Sequence, residues 1–190
     1  NIPNIYSLRL DYGFSDEDII DLYNQNKFII ELNASTITPK KLEYLRARGV
    51  DLSRVRISHN FYPKPETGLG FKKVKEINEM LNSYGLSVMG YVPSKNGKRP
   101  PLYLGLPTVE SHRHQILEVA LQEMNLLGFS EIVFGDAYAS KEELRTAKNF
   151  DYSIFSLPLV VNKDISEEEL NQLSKIHRNR LDAPATGVRS

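Results

Sequence analysis

The stretch FIIELNAST at 28–36 decides how this chain is read. An apolar run stops at polar residues. Thr38 and Pro39 then supply a side-chain cap and a proline at the first helical position, so a strand passes into a helix that Gly49 closes. The same grammar recurs in LRLDYG at 8–13, RISHNFYP at 56–63, VMGYVPS at 88–94 and IVFGDAYAS at 132–140. Repeated strand-then-helix units predict an α/β fold and, more specifically, a (β/α) barrel, which presents reactive side chains at the carboxyl ends of its strands.

A complete barrel of eight units takes about 250 residues, with ~200 as a lower limit. This chain has 190 residues, starts at Asn1 and carries five such units. The expectation is a partial TIM-type barrel resembling the later part of the barrel, with an amino-terminal portion missing. Residues 1–150 would form that carboxyl-terminal part of the barrel, and 151–190 a connector and the beginning of a second domain.

Helix signals fill the spaces between the strands. Ser15 caps Asp16 to about Asn24, with Asp16, Glu17 and Asp18 favourably placed in the first turn. Strand two is expected at Phe28 to Leu32, strand three at Val55 to His59, strand four at Ser87 to Val92 and strand five at Glu131 to Phe134. Val74, Ile77 and Leu81 share a face of a helix from about Phe71 to Ser83. Pro93 to Pro107, with Lys95, Lys98 and Arg99, is the longest irregular stretch, a length typical of a lid or binding loop. Ser140 to Glu143 and Ser166 to Glu169 are capping boxes. Tyr152 to Val161 reads as an extended run broken by Pro158.

Composition narrows the function. Twenty-four basic residues balance 24 acidic ones, at a pI near 7.1, which leaves no positive field for nucleic acid. Cysteine is absent, so disulfides and thiolate metal sites are excluded. No apolar stretch approaches the ~20 residues of a membrane span.

Residues two apart in a strand share a face, so Arg9 pairs with Asp11 and Glu31 with Asn33 on the face opposite the helices. Burying such charges without partners costs several kcal/mol each, so they imply either a mutual ion network or a polar, ligand-binding cavity. Of His59 and Asn60, one must face inward, and alternation alone does not choose. Tyr62 and Glu66 crowd the following loop, which prolines stiffen. Pro107 to His114 sets Glu110, His112, Arg113 and His114 at a helix start, where Arg113 is a candidate anion contact. His112 and His114 lack a second ligand group at metal-binding spacing, so no metal is expected. Gly135 and Asp136 lead from the last strand into a capped helix, as phosphate loops do, although a plain capped helix has the same composition.

Together, RLDYGFS at 9–15, IELNAST at 30–36, HNFYPKPETGLG at 59–70, GLPTVESHR at 105–113 and GDAYAS at 135–140 resemble a bacterial family long catalogued as uncharacterised or "outer surface" protein. Its characterised activity is 6-phospho-N-acetylmuramidase, glycoside hydrolase family 170. The resemblance implies a cytoplasmic hydrolase that splits 6-phospho-N-acetylmuramic acid from N-acetylglucosamine during cell-wall recycling. It also implies an amino-terminal TIM-type barrel followed by a cyclophilin-like β domain, into which the tail with His177, Arg180 and Asp182 would lead.

Glycoside cleavage ordinarily needs one protonated and one ionised carboxyl group. Asp11, Glu31, Glu66 and Asp136 are the acids at strand ends or in loops. Glu31, deeper in the barrel, is the expected general acid, and Asp11 its ionised partner with Arg9 keeping it charged. Substrate-assisted attack by the N-acetyl group is a second route. For the 6-phosphate and lactyl carboxylate the candidates are Arg113, His59, the backbone after Gly135 and Arg180. Asn33, Asn60 and Tyr62 would orient sugar hydroxyls. No cofactor is expected, the partner is a small phosphorylated amino-sugar disaccharide, and a homo-oligomer is left open. The competing readings are a phosphosugar-sensing module without catalysis and another phosphosugar-processing barrel enzyme. Among the latter, Schiff-base aldolases are disfavoured because no strand core carries a lysine.

Overall fold

The computed structural model describes residues 5–157, 159–178 and 180–182. Two compact units divide the chain, Asn1–Ser156 and Leu157–Ser190. In the first, strands β1 (Ser7–Leu10), β2 (Ile29–Asn33), β3 (Val55–Ser58), β4 (Ser87–Val92) and β5 (Glu131–Phe134) make one sheet in sequential order. Every pairing is parallel. Parallel neighbours need crossovers, and helices α1 (Asp16–Asn24), α2 (Pro39–Ala47), α3 (Phe71–Ser83) and α4 (Leu117–Leu126) provide them, with α5 (Lys141–Asn149) following β5.

The caps form as the residues dictate. Ser15 and Ser140 each accept from the backbone three residues on, while Asp18 and Glu143 bond back. Thr38 accepts from Lys41 N–H, with Pro39 opening α2.

Alternation sorts the sheet's two faces. Leu10, Ile30, Leu32, Val55, Ile57, Val88 and Val92 are buried in one core with Leu42, Leu45, Val74, Leu81 and Met124 of the helices. Burying such a side chain contributes about 1.5–3 kcal/mol, so this layer carries most of the fold's stability. Gly90 shares this face, where a Cβ would run into Phe129 and Met124.

The other face is polar in two layers. Nearer the strand starts, the Arg56 guanidinium pairs with the Glu131 carboxylate, which also accepts from Ser87 Oγ at 3.3 Å, and it lies 5.5 Å over the Tyr6 ring. This pair spans β3, β4 and β5 and acts as a structural clamp. The second polar layer, at the strand ends, is the candidate site.

Several boundaries differ from expectation. β2 runs one residue later than predicted, and β3 stops at Ser58 rather than His59. Glu110–His114 is a separate 3-10 helix, and α4 begins only at Leu117. No described residue between Tyr152 and Val161 is in a strand, and Pro158 lies outside the described residues. In the second unit, helix α6 (Glu167–Leu173) is capped by Ser166. Among the described residues, no helix is long and apolar enough to cross a membrane.

Candidate active site

Arg9, at the end of β1, is the hub of the upper polar layer. Its Nη1 donates to Ser58 Oγ at 2.5 Å and to the His59 carbonyl at 3.0 Å. Its Nη2 donates to Asn60 Oδ1 at 2.5 Å and Asp11 Oδ1 at 3.3 Å, and Nε reaches Asp11 Oδ2 at 3.3 Å. A planar guanidinium suits this role because its donors radiate in fixed directions. One side chain thereby ties β1 to the end of β3.

Strand β2 adds a second carboxylate and an amide. Ser58 Oγ donates to Glu31 Oε1 at 2.6 Å, and Arg9 Nη1 stands 4.0 Å from the same oxygen. Asn33 Nδ2 donates to Asp11 Oδ1 at 2.7 Å and to Asn60 Oδ1 at 3.2 Å. The Ser35 N–H fixes the flip of that amide by donating to Asn33 Oδ1 at 2.9 Å. Arg9, Asp11, Glu31, Asn33, Ser58 and Asn60 therefore form one connected network at the carboxyl ends of three neighbouring strands.

The two carboxylates sit in different surroundings. Glu31's side chain is 7 % exposed and Asp11's is 55 % exposed, so Arg9 links a deep acid to one at the rim. Burial works to raise the Asp11 pKa, but the hydrogen bonds from Asn33 and Arg9 and the Arg9 charge outweigh it and hold the carboxyl below its usual range. Asp11 is therefore ionised at neutral pH.

Tyr91 joins this layer from β4. Alternation along Ser87, Met89 and Tyr91 puts its ring on the polar face, and Phe61 packs edge-on at 5.3 Å. Burial raises its phenol pKa, the Arg9 charge lowers it, and the charges of Glu31 and Asp11 raise it. The phenol therefore lies within the field of the whole network. Sequence reading passed over Tyr91 and Ser58, although Arg56–Ser58 and Met89–Tyr91 alternate as Glu31–Asn33 do.

The other candidate side chains make different contacts. His59 turns to the helix side, where its ring is fully buried, bonds Asn78 Oδ1 through Nε2 at 2.7 Å and meets Phe129 at 5.3 Å. Burial holds this histidine's pKa below its usual value. The Asn60 side chain, not the His59 ring, joins the network, to which His59 gives only its carbonyl.

Arg113 does not point into an anion site. Buried in the 3-10 helix, it bonds Glu110 through Nε at 2.6 Å and the carbonyls of Gly105, Tyr62 and Lys64 at 2.9, 3.0 and 3.1 Å. Glu110 also accepts from the backbone N–H groups of Glu66 and Gly68, at 3.1 and 2.7 Å. The Arg113 hydrogen bonds lead in drawing the Glu110 carboxyl down to about 2; burial opposes them and the two amides add to them. The pair staples the loop after β3 to the loop before α4, and α4's own amino terminus lies beyond it.

Tyr62 lies in that stapled loop, half-buried, its N–H donating to the Pro107 carbonyl at 3.0 Å. Glu66 is exposed with φ +63, held by its backbone. Asp136 accepts from Ser94 N–H at 2.9 Å and Arg99 N–H at 3.2 Å, so it braces the long loop after β4. Gly135 fits beneath the Leu106 carbonyl, where a Cβ would collide. Arg180 belongs to the second unit, pairing with Asp182 at 3.0 Å.

Parallel strands whose carboxyl ends gather two acids, two amides, a serine and an arginine define an α/β protein with an enzyme-like polar site. The sequence model described as 6-phospho-N-acetylmuramidase, N-terminal, matches residues 3–149, and the chain belongs to that family. Among solved structures, the chain is similar to a conserved protein of unknown function from Enterococcus faecalis, at 33% identity and TM-score 0.69 over 95% of this chain and 50% of that one. It is also similar to an uncharacterized B. cereus protein, at 28% identity and TM-score 0.73 over 86% of this chain and 48% of that one. The chain thus spans about half the length of these structures. No curated protein matches it.

Proposed function

We propose that this chain is the carboxyl-terminal part of a TIM-type barrel in a glycoside hydrolase. The enzyme separates 6-phospho-N-acetylmuramic acid from N-acetylglucosamine in the cytoplasm, during cell-wall recycling. Residues 151–190 serve as connector and as the start of a cyclophilin-like domain. The barrel reading draws support from the strand order, which runs in sequence without the reversal found in doubly wound sheets. The substrate reading draws support from the family description.

One observation carries the chemistry: a single guanidinium, Arg9, faces both Asp11 and Glu31. Glu31 Oε1 takes the Ser58 hydrogen bond, and Oε2 has no partner among the described residues. Glu31 is the general acid, and Oε2 is the oxygen that hands its proton to the departing glycosidic oxygen. Asp11, kept ionised by Asn33 and Arg9, stabilises positive charge at the anomeric carbon. Asn33 and Asn60 orient sugar hydroxyls, and Arg9 fixes the spacing of the two acids.

The test is turnover of the phosphorylated disaccharide by the full-length parent protein. Glu31→Gln and Asp11→Asn should each lower kcat by about 10²–10⁴-fold. Wild-type turnover in Glu31→Gln would sink the assignment. A parent that binds the disaccharide and releases no product is a sensor and not a hydrolase.

A further inference from the structure

We infer that Arg99 recognises the anionic group of the sugar substrate, a phosphate or a carboxylate, from above the Arg9 network. The inference rests on the glycosidase reading and adds to it the cation that Arg113 does not supply.

Arg99 lies in the long loop after β4, and its guanidinium stands 5.2 Å from the centre of the Phe61 ring. Phe61 directly follows Asn60, a member of the network, and meets Tyr91 edge-on at 5.3 Å. Two ring contacts therefore lead from the Arg99 guanidinium to Tyr91, whose phenol feels the charges of Arg9, Glu31 and Asp11.

The base of the side chain is fixed and its end is not. Arg99 N–H donates to Asp136 Oδ1 at 3.2 Å, and its carbonyl accepts from Tyr103 N–H at 3.2 Å. Asp136 is buried and also holds Ser94, so the loop is braced against the end of β5. The residue itself is exposed, and its guanidinium makes no hydrogen bond or ion pair with any described residue. The other arginines near the site are neutralised: Arg9 by Asp11, Arg56 by Glu131 and Arg113 by Glu110. A cation stacked on an aromatic ring, with a fixed root and free donors, is arranged to meet an oxyanion arriving from solvent.

The shared chemistry is an oxyanion that accepts a fork of two N–H groups, and in this substrate it has two sources, the 6-phosphate and the lactyl carboxylate. Calorimetric titration of the full-length parent separates them. The ligands are N-acetylmuramic acid 6-phosphate, N-acetylmuramic acid and N-acetylglucosamine 6-phosphate, compared between wild type and Arg99→Ala, with thermal melts to check folding. If Arg99 holds the phosphate, the two phosphorylated sugars lose about 10- to 100-fold in affinity and N-acetylmuramic acid is unchanged. If it holds the lactyl group, the two muramic ligands lose affinity and N-acetylglucosamine 6-phosphate does not. Arg99→Lys should recover part of the loss, since it restores charge without the fork. Equal affinities in wild type and Arg99→Ala, or an equal loss for all three ligands, would overturn the role of Arg99 alone. Wild-type protein that binds none of the three overturns the substrate reading, and Arg99 with it.

Discussion

Asn60 accepts a hydrogen bond from Arg9 through Oδ1 at 2.5 Å, although 51 positions separate them in the chain. The same amide oxygen accepts from Asn33 at 3.2 Å and the Asn60 Nδ2 group donates to Ser35 Oγ at 3.3 Å. Asn60 thus ties together the ends of three strands just where backbone pairing between β2 and β3 has run out. A network of this kind fixes side-chain positions more than it adds stability, because each polar group gives up water to join it.

Removing the hub should damage both. Arg9→Met keeps much of the stem's bulk and deletes the charge, leaving Ser58, the His59 carbonyl and Asn60 without their donor and Asp11 with Asn33 alone. Urea denaturation of the parent should register a loss of about 2–3 kcal/mol, less than for a fully buried pair because Asp11 reaches solvent. Arg9→Lys should cost less, about 1 kcal/mol, since it keeps the charge and loses the forked geometry.

Tyr91→Phe should separate function from folding. The ring still packs on Phe61, so the melting temperature should stay within a few degrees of wild type. The lost hydroxyl removes the phenol's interaction with the Arg9 side chain in the proposed site, worth about 1 kcal/mol, so kcat/KM on the phosphorylated disaccharide should fall about 5-fold. A large fall in melting temperature with unchanged kcat/KM would instead mark Tyr91 as core.

The elements of this fold were legible because their determinants are local. Ser15, Thr38 and Ser140 cap the helices they were expected to cap, and the alternation of Leu32 with Glu31 and Asn33 sorts β2 into a core face and a polar face. The site was legible only where the strand period held. It put Arg9, Asp11, Glu31 and Asn33 on one face, and these four are joined in the network. At His59 and Asn60 the choice stayed open in the sequence because both are polar, and the structure shows the period running on past β3, with Asn60 on the face of Arg56 and Ser58 and His59 on that of Val55 and Ile57. Local pattern misled at Arg113, where the deciding partner is Glu110, three residues back on a 3-10 turn that reads as the first turn of α4. Asp136 resembled a phosphate-loop residue, yet it bonds to Ser94 and Arg99, partners about 40 positions away that no local pattern reveals.

Gly135→Ala tests whether the approach of two loops depends on this glycine. A Cβ here would fall on the Leu106 carbonyl oxygen and crowd its Cβ, backbone that cannot swing aside as a flexible side chain would. Overpacking of this kind costs about 1–3 kcal/mol, measurable by urea denaturation. If the loop shifts to relieve the collision, the Asp136 contacts to Ser94 and Arg99 shift with it, and affinity for phosphorylated sugar should fall alongside stability.

Acid should dissolve the Glu110–Arg113 staple late, and the sign follows from the direction of the pKa change. Glu110 drops from 4.5 to about 2 in the folded chain, chiefly through its Arg113 hydrogen bonds. A carboxyl lowered on folding contributes stability in full above its unfolded value and loses it as pH falls through the folded one. Glu110→Gln should therefore be less stable than wild type by about 2–4 kcal/mol near neutrality, because it leaves Arg113 buried opposite a neutral amide. Between the 4.5 and about 2 that bound the shift, the gap should narrow as wild-type Glu110 takes up its proton. Urea denaturation of both proteins across this range measures the gap directly. If it stays constant with pH, then protonation of Glu110 does not govern the staple, and its strength comes from the carbonyls of Gly105, Tyr62 and Lys64 instead.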